Sequence, residues 1–158
     1  MKRVLFYIIF ILMLVSCKKE ISNNEGQPVE FHDFTGQKIY NFYKDKNYKL
    51  IILNYWATYC SPCKEEMNDF VKLYSSYQKD NIMIIGATSE TKENFGLIQK
   101  LCKILKINYP ILYGVENEFN NETILGLPTT FILDKELNII EKIDGKRDLD
   151  YFKNIIEK

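Results

Sequence analysis

The chain has 158 residues, of which 46% are hydrophobic and 27% are charged. A chain of this length and balance is typical of one globular domain with a sizeable core. Basic and acidic side chains both number 21, giving a formal net charge of zero, so composition favours neither nucleic acid nor an anionic membrane surface as a partner.

The N-terminus is predicted to be a targeting segment. Lys2 and Arg3 precede an uncharged apolar run over residues 4–15. A membrane span needs about twenty such residues, so this run fits the central part of a signal peptide better. An uncleaved membrane anchor is the alternative interpretation.

A small residue and a cysteine, Ser16 and Cys17, follow this run. The tetrad over residues 14–17 resembles the bacterial lipobox, in which the cysteine is acylated and becomes the mature N-terminus. The polar stretch that follows contains Asn, Gly and Pro and lacks periodicity, as flexible tethers do. We therefore predict three parts: a signal peptide over 1–16, a lipidated cysteine with its tether over 17–28, and a folded domain over 29–158.

Within that domain the hydrophobic pattern predicts a central mixed β-sheet flanked by helices, an α/β fold that begins with a β-hairpin. His32, the single histidine, is expected at the surface or edge of that hairpin. Cys102 falls on the apolar stripe of a helix and is interpreted as a buried structural thiol. The predicted strands are 29–34, 38–42, 50–56, 82–87, 109–113, 126–134 and 138–143, and the predicted helices are 62–78, 91–106 and a final one capped by Asp148.

Two cysteines stand where the apolar strand over 50–56 turns into a helix. Cys60 and Cys63 have CxxC spacing, which in this context is typical of a redox-active pair. The helix start favours the Cys60 thiolate, since unpaired N–H groups and the positive end of the helix dipole face it. We expect Cys60 to attack a substrate disulfide and Cys63 to resolve the mixed disulfide.

Other interpretations of this pair are weaker. A structural zinc site needs about four ligands, and Cys17, Cys102 and His32 do not have ligand spacing to one another. No metal site is therefore predicted. A c-type haem site needs histidine after the second cysteine, where Lys64 stands.

A second motif, GLPTTFILD, begins at Gly126, some sixty residues after WATYCSPCKEEM. Together the two motifs resemble the thioredoxin fold, and within it the family of membrane-tethered thiol-disulfide oxidoreductases of the TlpA and ResA kind. The resemblance implies that the Leu127–Pro128 bond is cis and lies against Cys60, and that the Leu127 backbone pairs with an extended substrate. It also places Trp56 beside the site. The substrate-binding prediction comprises Trp56, Leu127, Pro128 and Thr129.

Glu66 is the third predicted catalytic residue. It lies three positions after Cys63, at the edge of the helix's apolar face, where partial burial would raise its pKa. Family members carry a glutamate here with a proposed role in exchanging a proton with the second cysteine. Alternatively, Glu65 and Glu66 only complement the helix dipole. Asn54 stands where thioredoxin has a buried acid, and Asn68 replaces a usual proline.

The function predicted from these residues is reduction of disulfides in extracytoplasmic proteins. The pair enclosed by the cysteines, Ser61 and Pro62, offers no cation that would make a strong oxidant. The lipobox-like N-terminus predicts an extracytoplasmic location at the bacterial cell envelope, with a lipid anchor in a membrane. The family resemblance implies recharging by a membrane electron donor of the DsbD or CcdA type. Apocytochrome c is a candidate client. No bound cofactor is predicted, and a monomer is expected.

Two alternatives of other classes stay open. A copper-binding chaperone pairs CxxxC with a distant histidine, whereas this chain has CxxC and no histidine after His32. A non-catalytic thioredoxin-fold interaction module would carry an idle disulfide. A peroxidase of the peroxiredoxin kind is disfavoured, since Thr58 lies two residues before Cys60 and not three.

Overall fold

The computed structural model describes residues 30–36, 48–77 and 80–158. The predicted signal peptide, the predicted lipidated Cys17, the tether and the second strand of the predicted hairpin lie outside the described residues. Within the described ranges, every helix is too short or too polar to span a bilayer.

A six-stranded mixed sheet forms the centre of the fold, in the spatial order β1-β4-β3-β2-β7-β8. The pairs β1–β4, β4–β3 and β3–β2 are parallel. The pairs β2–β7 and β7–β8 are antiparallel. The parallel strands β2 and β3 are apolar and buried almost throughout, because both of their faces are covered. The sheet strands are β1 Phe31–Asp33, β2 Leu50–Tyr55, β3 Ile82–Thr88, β4 Ile111–Tyr113, β7 Thr129–Leu133 and β8 Ile139–Asp144.

His32 lies in the edge strand β1, as expected, and its Nε2 is 3.5 Å from Glu30 Oε2. β1 pairs in parallel with β4.

Three α-helices are described: α1 Ser61–Tyr77, α2 Phe95–Ile104 and α3 Leu149–Ile156. In place of the single helix predicted over 91–106, the structure has a 3₁₀ turn at Lys92–Asn94 followed by α2. Asp148 caps α3 as predicted, and its side chain accepts a hydrogen bond from Tyr151 N.

Two buried clusters lie on opposite sides of the sheet. The helices supply Met67, Phe70 and Phe152 to one cluster, together with the fully buried Cys102. Burial raises the pKa of the Cys102 thiol to about 12, which keeps it protonated and supports its interpretation as a structural residue. The sheet and the helices that pack on it confirm the predicted central mixed sheet flanked by helices.

A small two-stranded hairpin covers part of the other side. It consists of β5 Glu118–Phe119 and β6 Glu122–Thr123, where the sequence predicted only a polar stretch. Its turn residues Asn120 and Asn121 have positive φ angles of 48° and 66°, a conformation that asparagine tolerates better than most residues. Phe119 is buried against Phe131 of the sheet and fixes the hairpin in place.

Candidate active site

The two predicted redox cysteines are joined at the start of α1. Cys60 and Cys63 form a disulfide with their Cα atoms 5.3 Å apart. Cys60 is 8% exposed and Cys63 is fully buried, so an incoming substrate meets Cys60 first. This order of exposure matches the division of labour expected from the sequence.

The helix start supplies a donor to the exposed sulfur. Cys63 N donates to Cys60 Sγ at 3.2 Å. Cys60 directly precedes the first helical residue, Ser61, where free N–H groups and the helix dipole favour negative charge. A Cys60 thiolate would therefore be stabilised by the backbone after reduction.

Glu90, which was not predicted as a site residue, holds the loop before Cys60. Its carboxylate accepts from Thr58 N at 2.7 Å and from Thr58 Oγ1 at 2.6 Å. Thr88 Oγ1 donates to the same carboxylate at 3.3 Å. The available signal was its position just after β3, because parallel neighbours such as β2 and β3 end at the same edge of a sheet.

Trp56 is 1% exposed and lies in the same buried cluster as Cys60 and Cys63. Its indole packs on Gly86, where an added Cβ would lie 2.9 Å from Trp56 Nε1. A ring this deeply buried offers a substrate almost no area and supports the site from beneath, and a part for Trp56 in substrate binding stays a prediction.

The Leu127–Pro128 peptide bond is cis, the geometry implied by the resemblance. Pro128 is buried, and its carbonyl accepts from Gly145 N at 2.8 Å. Thr129 is also fully buried, and its hydroxyl donates to Gly126 O at 2.8 Å. The Thr129 side chain thus braces this loop from inside, whereas Leu127 is half-buried and reaches the surface. Contact of this loop with substrate stays a prediction.

A groove of about 490 Å³ brings the two motifs together. Its lining includes Cys60 from the CxxC segment and Leu127 from the proline loop. These residues are 67 positions apart, and the antiparallel pairing of β2 with β7 places their loops side by side. Residues of the β6–β7 connection, Ile124 and Leu125, complete one rim.

Glu66 is fully buried, more deeply than the sequence predicted. Its Oε2 accepts from Asn54 Nδ2 at 2.8 Å, and its Oε1 accepts from Arg147 N at 2.9 Å. Asn54 Nδ2 also donates to Thr130 Oγ1 at 2.9 Å. Burial raises the pKa of Glu66 to about 7, although the hydrogen bonds from Arg147 N, Asn54 and Thr130 oppose the rise. The carboxyl can therefore exchange a proton near neutral pH.

The described part of the chain contains no group of three or more His, Cys, Asp and Glu side chains arranged to hold a metal ion.

The fold and the paired cysteines define the class: a thioredoxin-fold protein with a dithiol–disulfide couple at a helix start. The sequence model of the AhpC/TSA family matches residues 16–142. The chain belongs to this family and is a thiol-disulfide oxidoreductase.

Relatives agree with this assignment. The thioredoxin-like protein YneN of Bacillus subtilis is 31% identical over 133 residues, covering 80% of this chain and 74% of YneN. The thiol-disulfide oxidoreductase ResA of Bacillus thuringiensis subsp. konkukian is 24% identical over 139 residues, covering 87% of this chain and 72% of ResA. The crystal structure of StoA from Bacillus subtilis superimposes with a TM-score of 0.59 at 25% identity, covering 70% of this chain and 83% of StoA. The predicted ResA-like resemblance is confirmed.

Proposed function

We propose that this protein reduces disulfides of other proteins outside the bacterial cytoplasm, with Cys60 as the attacking thiol, Cys63 as the resolving thiol and Glu66 as the proton acceptor. The observation that carries the proposal is the cysteine pair at the start of α1, in which Cys60 is 8% exposed and Cys63 is fully buried, one helical turn before a buried carboxyl.

The first step begins from the reduced pair. The Cys60 thiolate attacks one sulfur of a client disulfide, a mixed Cys60–client disulfide forms, and the other client sulfur leaves as a thiolate that takes up a proton. The N–H of Cys63 and the start of α1 stabilise the attacking thiolate. Substrate backbone can pair beside Leu127, whose loop lines the groove with Cys60.

The second step releases the client. The Cys63 thiol gives its proton to the Glu66 carboxylate, and the resulting thiolate attacks Cys60 Sγ. The Cys60–Cys63 disulfide forms, the mixed disulfide breaks, and the second client thiol is set free. Two electrons pass to the client in total. Residues three apart lie on one helix face, with Cβ atoms about 5–6 Å apart, and both Cys63 and Glu66 are fully buried.

The residues around the pair support the reducing direction. Ser61 and Pro62 add no positive charge beside Cys60, so stabilisation of its thiolate comes from the helix start. Strong oxidants owe their potential to a far more stable thiolate. A reductant must be recharged, and a membrane dithiol protein of the DsbD or CcdA type is the proposed donor.

The proposed location depends on residues 1–28. Signal-peptide cleavage before Cys17 and acylation of that cysteine would hold the domain at the extracytoplasmic face of a membrane, where structural disulfides persist. Apocytochrome c, whose haem-binding thiols must be reduced, is the proposed client class.

The reduction potential of the Cys60–Cys63 pair tests the direction. The purified protein is equilibrated with dithiothreitol or glutathione buffers, and the fraction oxidised is followed by thiol labelling. A potential near the roughly −270 mV of thioredoxin is expected. A potential near the roughly −120 mV of DsbA would contradict the proposal and indicate an enzyme that inserts disulfides.

A further inference from the structure

Two apolar side chains stand exposed on the rims of the groove that holds Cys60. Tyr59 is 78% exposed and Leu125 is 91% exposed. They come from different loops, one directly before Cys60 and one just before the cis-proline, yet both line the same groove. Single exposed apolar side chains are common on protein surfaces. Two that line one groove together with the attacking cysteine favour a surface that contacts a partner.

Among the described residues that line the groove between these rims, none has a charged side chain. Besides Cys60, its described lining consists of apolar and uncharged polar residues: Tyr59, Ser61, Pro62, Ser89, Asn117, Ile124, Leu125, Gly126 and Leu127. A charged group entering the groove would lose water without gaining an opposite charge there. The lining therefore favours an uncharged occupant.

The hairpin β5–β6 holds Leu125 in its exposed position. Tyr55 Oη donates to Glu118 O at 3.1 Å, and Asn120 Nδ2 donates to Leu137 O at 3.1 Å. At the end of the hairpin, Ile124 N donates to Asn117 O at 2.9 Å. These hydrogen bonds hold the segment that leads to Leu125 against the rest of the domain, so the exposed leucine lies on a rim that the fold fixes in place.

The occupant must bring a disulfide sulfur to Cys60, because Cys60 lines this groove. Side chains of an extended polypeptide alternate at about 3.3 Å per residue, so residues next to the client cysteine would meet the two rims. We propose that Tyr59 and Leu125 select client polypeptides with uncharged, apolar residues beside the reacting cysteine. This inference rests on the proposed function and specifies its substrate class.

The test compares two peptides, each closed by one disulfide and identical except for the residues that flank the cysteine. One peptide carries leucine there and the other carries aspartate. Reduction by the pre-reduced protein is measured for the wild type, for Leu125→Ser and for Ile104→Ser. Ile104 is the matched control: it is 65% exposed, at the end of α2, and does not line the groove.

Leu125→Ser should lower kcat/KM for the leucine peptide about tenfold, mainly through KM, because the serine removes most of the apolar contact. It should change kcat/KM for the aspartate peptide less than about twofold, and Ile104→Ser should change neither. Leu125→Ala, a second variant at the same exposed position, should give the same ordering.

Equal rates for the two peptides with the wild-type protein would overturn the selection, as would equal losses for both peptides in Leu125→Ser. A small aromatic disulfide separates this failure from failure of the proposed function. If its Cys60-dependent reduction persists, only the selection is wrong. If no disulfide is reduced in a Cys60-dependent way, both the reductase function and the selection are wrong.

Discussion

Replacing Glu66 by glutamine tests whether the buried carboxyl holds its proton to unusually high pH. Burial raises the pKa of Glu66 from 4.5 to about 7. Glutamine has nearly the same shape and stays neutral. Its Oε1 can accept from Arg147 N, and its amide can donate to Asn54 Oδ1, which has no hydrogen-bond partner among the described residues, once the Asn54 amide turns over.

The sign of the pH dependence follows from the raised pKa. The folded protein binds this proton more tightly than the unfolded chain, so its stabilising effect is fully present below pH 4.5 and is lost as the pH rises through about 7. One pKa unit corresponds to about 1.4 kcal/mol, and the increase of about 2.5 units therefore corresponds to roughly 3 kcal/mol. The wild type should lose about that much unfolding free energy relative to Glu66→Gln between about pH 4.5 and pH 8.

Urea unfolding of the oxidised proteins measures this difference at a series of pH values. Glu65→Gln is the control, since Glu65 is the adjacent residue of α1 and its side chain is 65% exposed. The gap between wild type and Glu66→Gln should widen as the pH rises and then level off above about pH 8. If the unfolding free energies of wild type and Glu66→Gln differed by the same amount at every pH, the inference that the buried Glu66 carboxyl has a raised pKa would be wrong.

Three further outcomes are expected. Cys63→Ser should accumulate a mixed disulfide with a client peptide, visible by mass spectrometry, and the absence of an adduct that Cys60→Ser abolishes would contradict the assigned order of attack. Glu66→Gln should slow release of that mixed disulfide about 10²-fold in single-turnover assays and remove the rate change near pH 7, while initial attack by Cys60 keeps its rate. Glu90→Ala should lower the unfolding free energy by about 1–3 kcal/mol, because Thr58 N and Oγ1 lose their acceptor; an unchanged urea midpoint would show that the loop before Cys60 does not depend on Glu90.

Local sequence pattern was sufficient for the redox helix and the strand before it. An unbroken apolar run becomes β2 because a parallel strand is covered on both faces. Met67 and Phe70 recur at helical spacing, which is typical of a helix with one apolar face, and both are buried in the core. Each signal acts over a few residues, and the disulfide position follows from the junction between the two elements.

Contacts made by the backbone of residues far apart in the chain could not be predicted from the sequence. Arg147 N donates to Glu66 Oε1 across 81 positions, and an N–H group is the same for nearly every residue type. The hairpin β5–β6 was missed for another reason: its strands have two residues each, too few for an alternating pattern. The Asn-Asn pair at its turn was the available signal.

The two sequence motifs also did not predict the direction in which each side chain points. Thr129 follows the cis-proline and was assigned to substrate, yet its hydroxyl faces inward and bonds to Gly126 O. Trp56 precedes the CxxC segment and packs beneath it on Gly86. Leu125 lies outside both motifs and is exposed on the groove that Cys60 lines.

The burial of Glu66 decides how many negative charges the core must hold during the proposed redox step. Cys63 is fully buried as well, so a Cys63 thiolate beside a Glu66 carboxylate would place two negative charges together in the core, which like-charge repulsion and desolvation both oppose. In the proposed resolution step, passing the proton from Cys63 to Glu66 would keep one negative charge in this region until Cys63 attacks Cys60 Sγ. Because Asn54 of β2 and Arg147 N of the loop between β8 and α3 hold the carboxyl, the proposed acceptor would already be in place when the thiol must ionise.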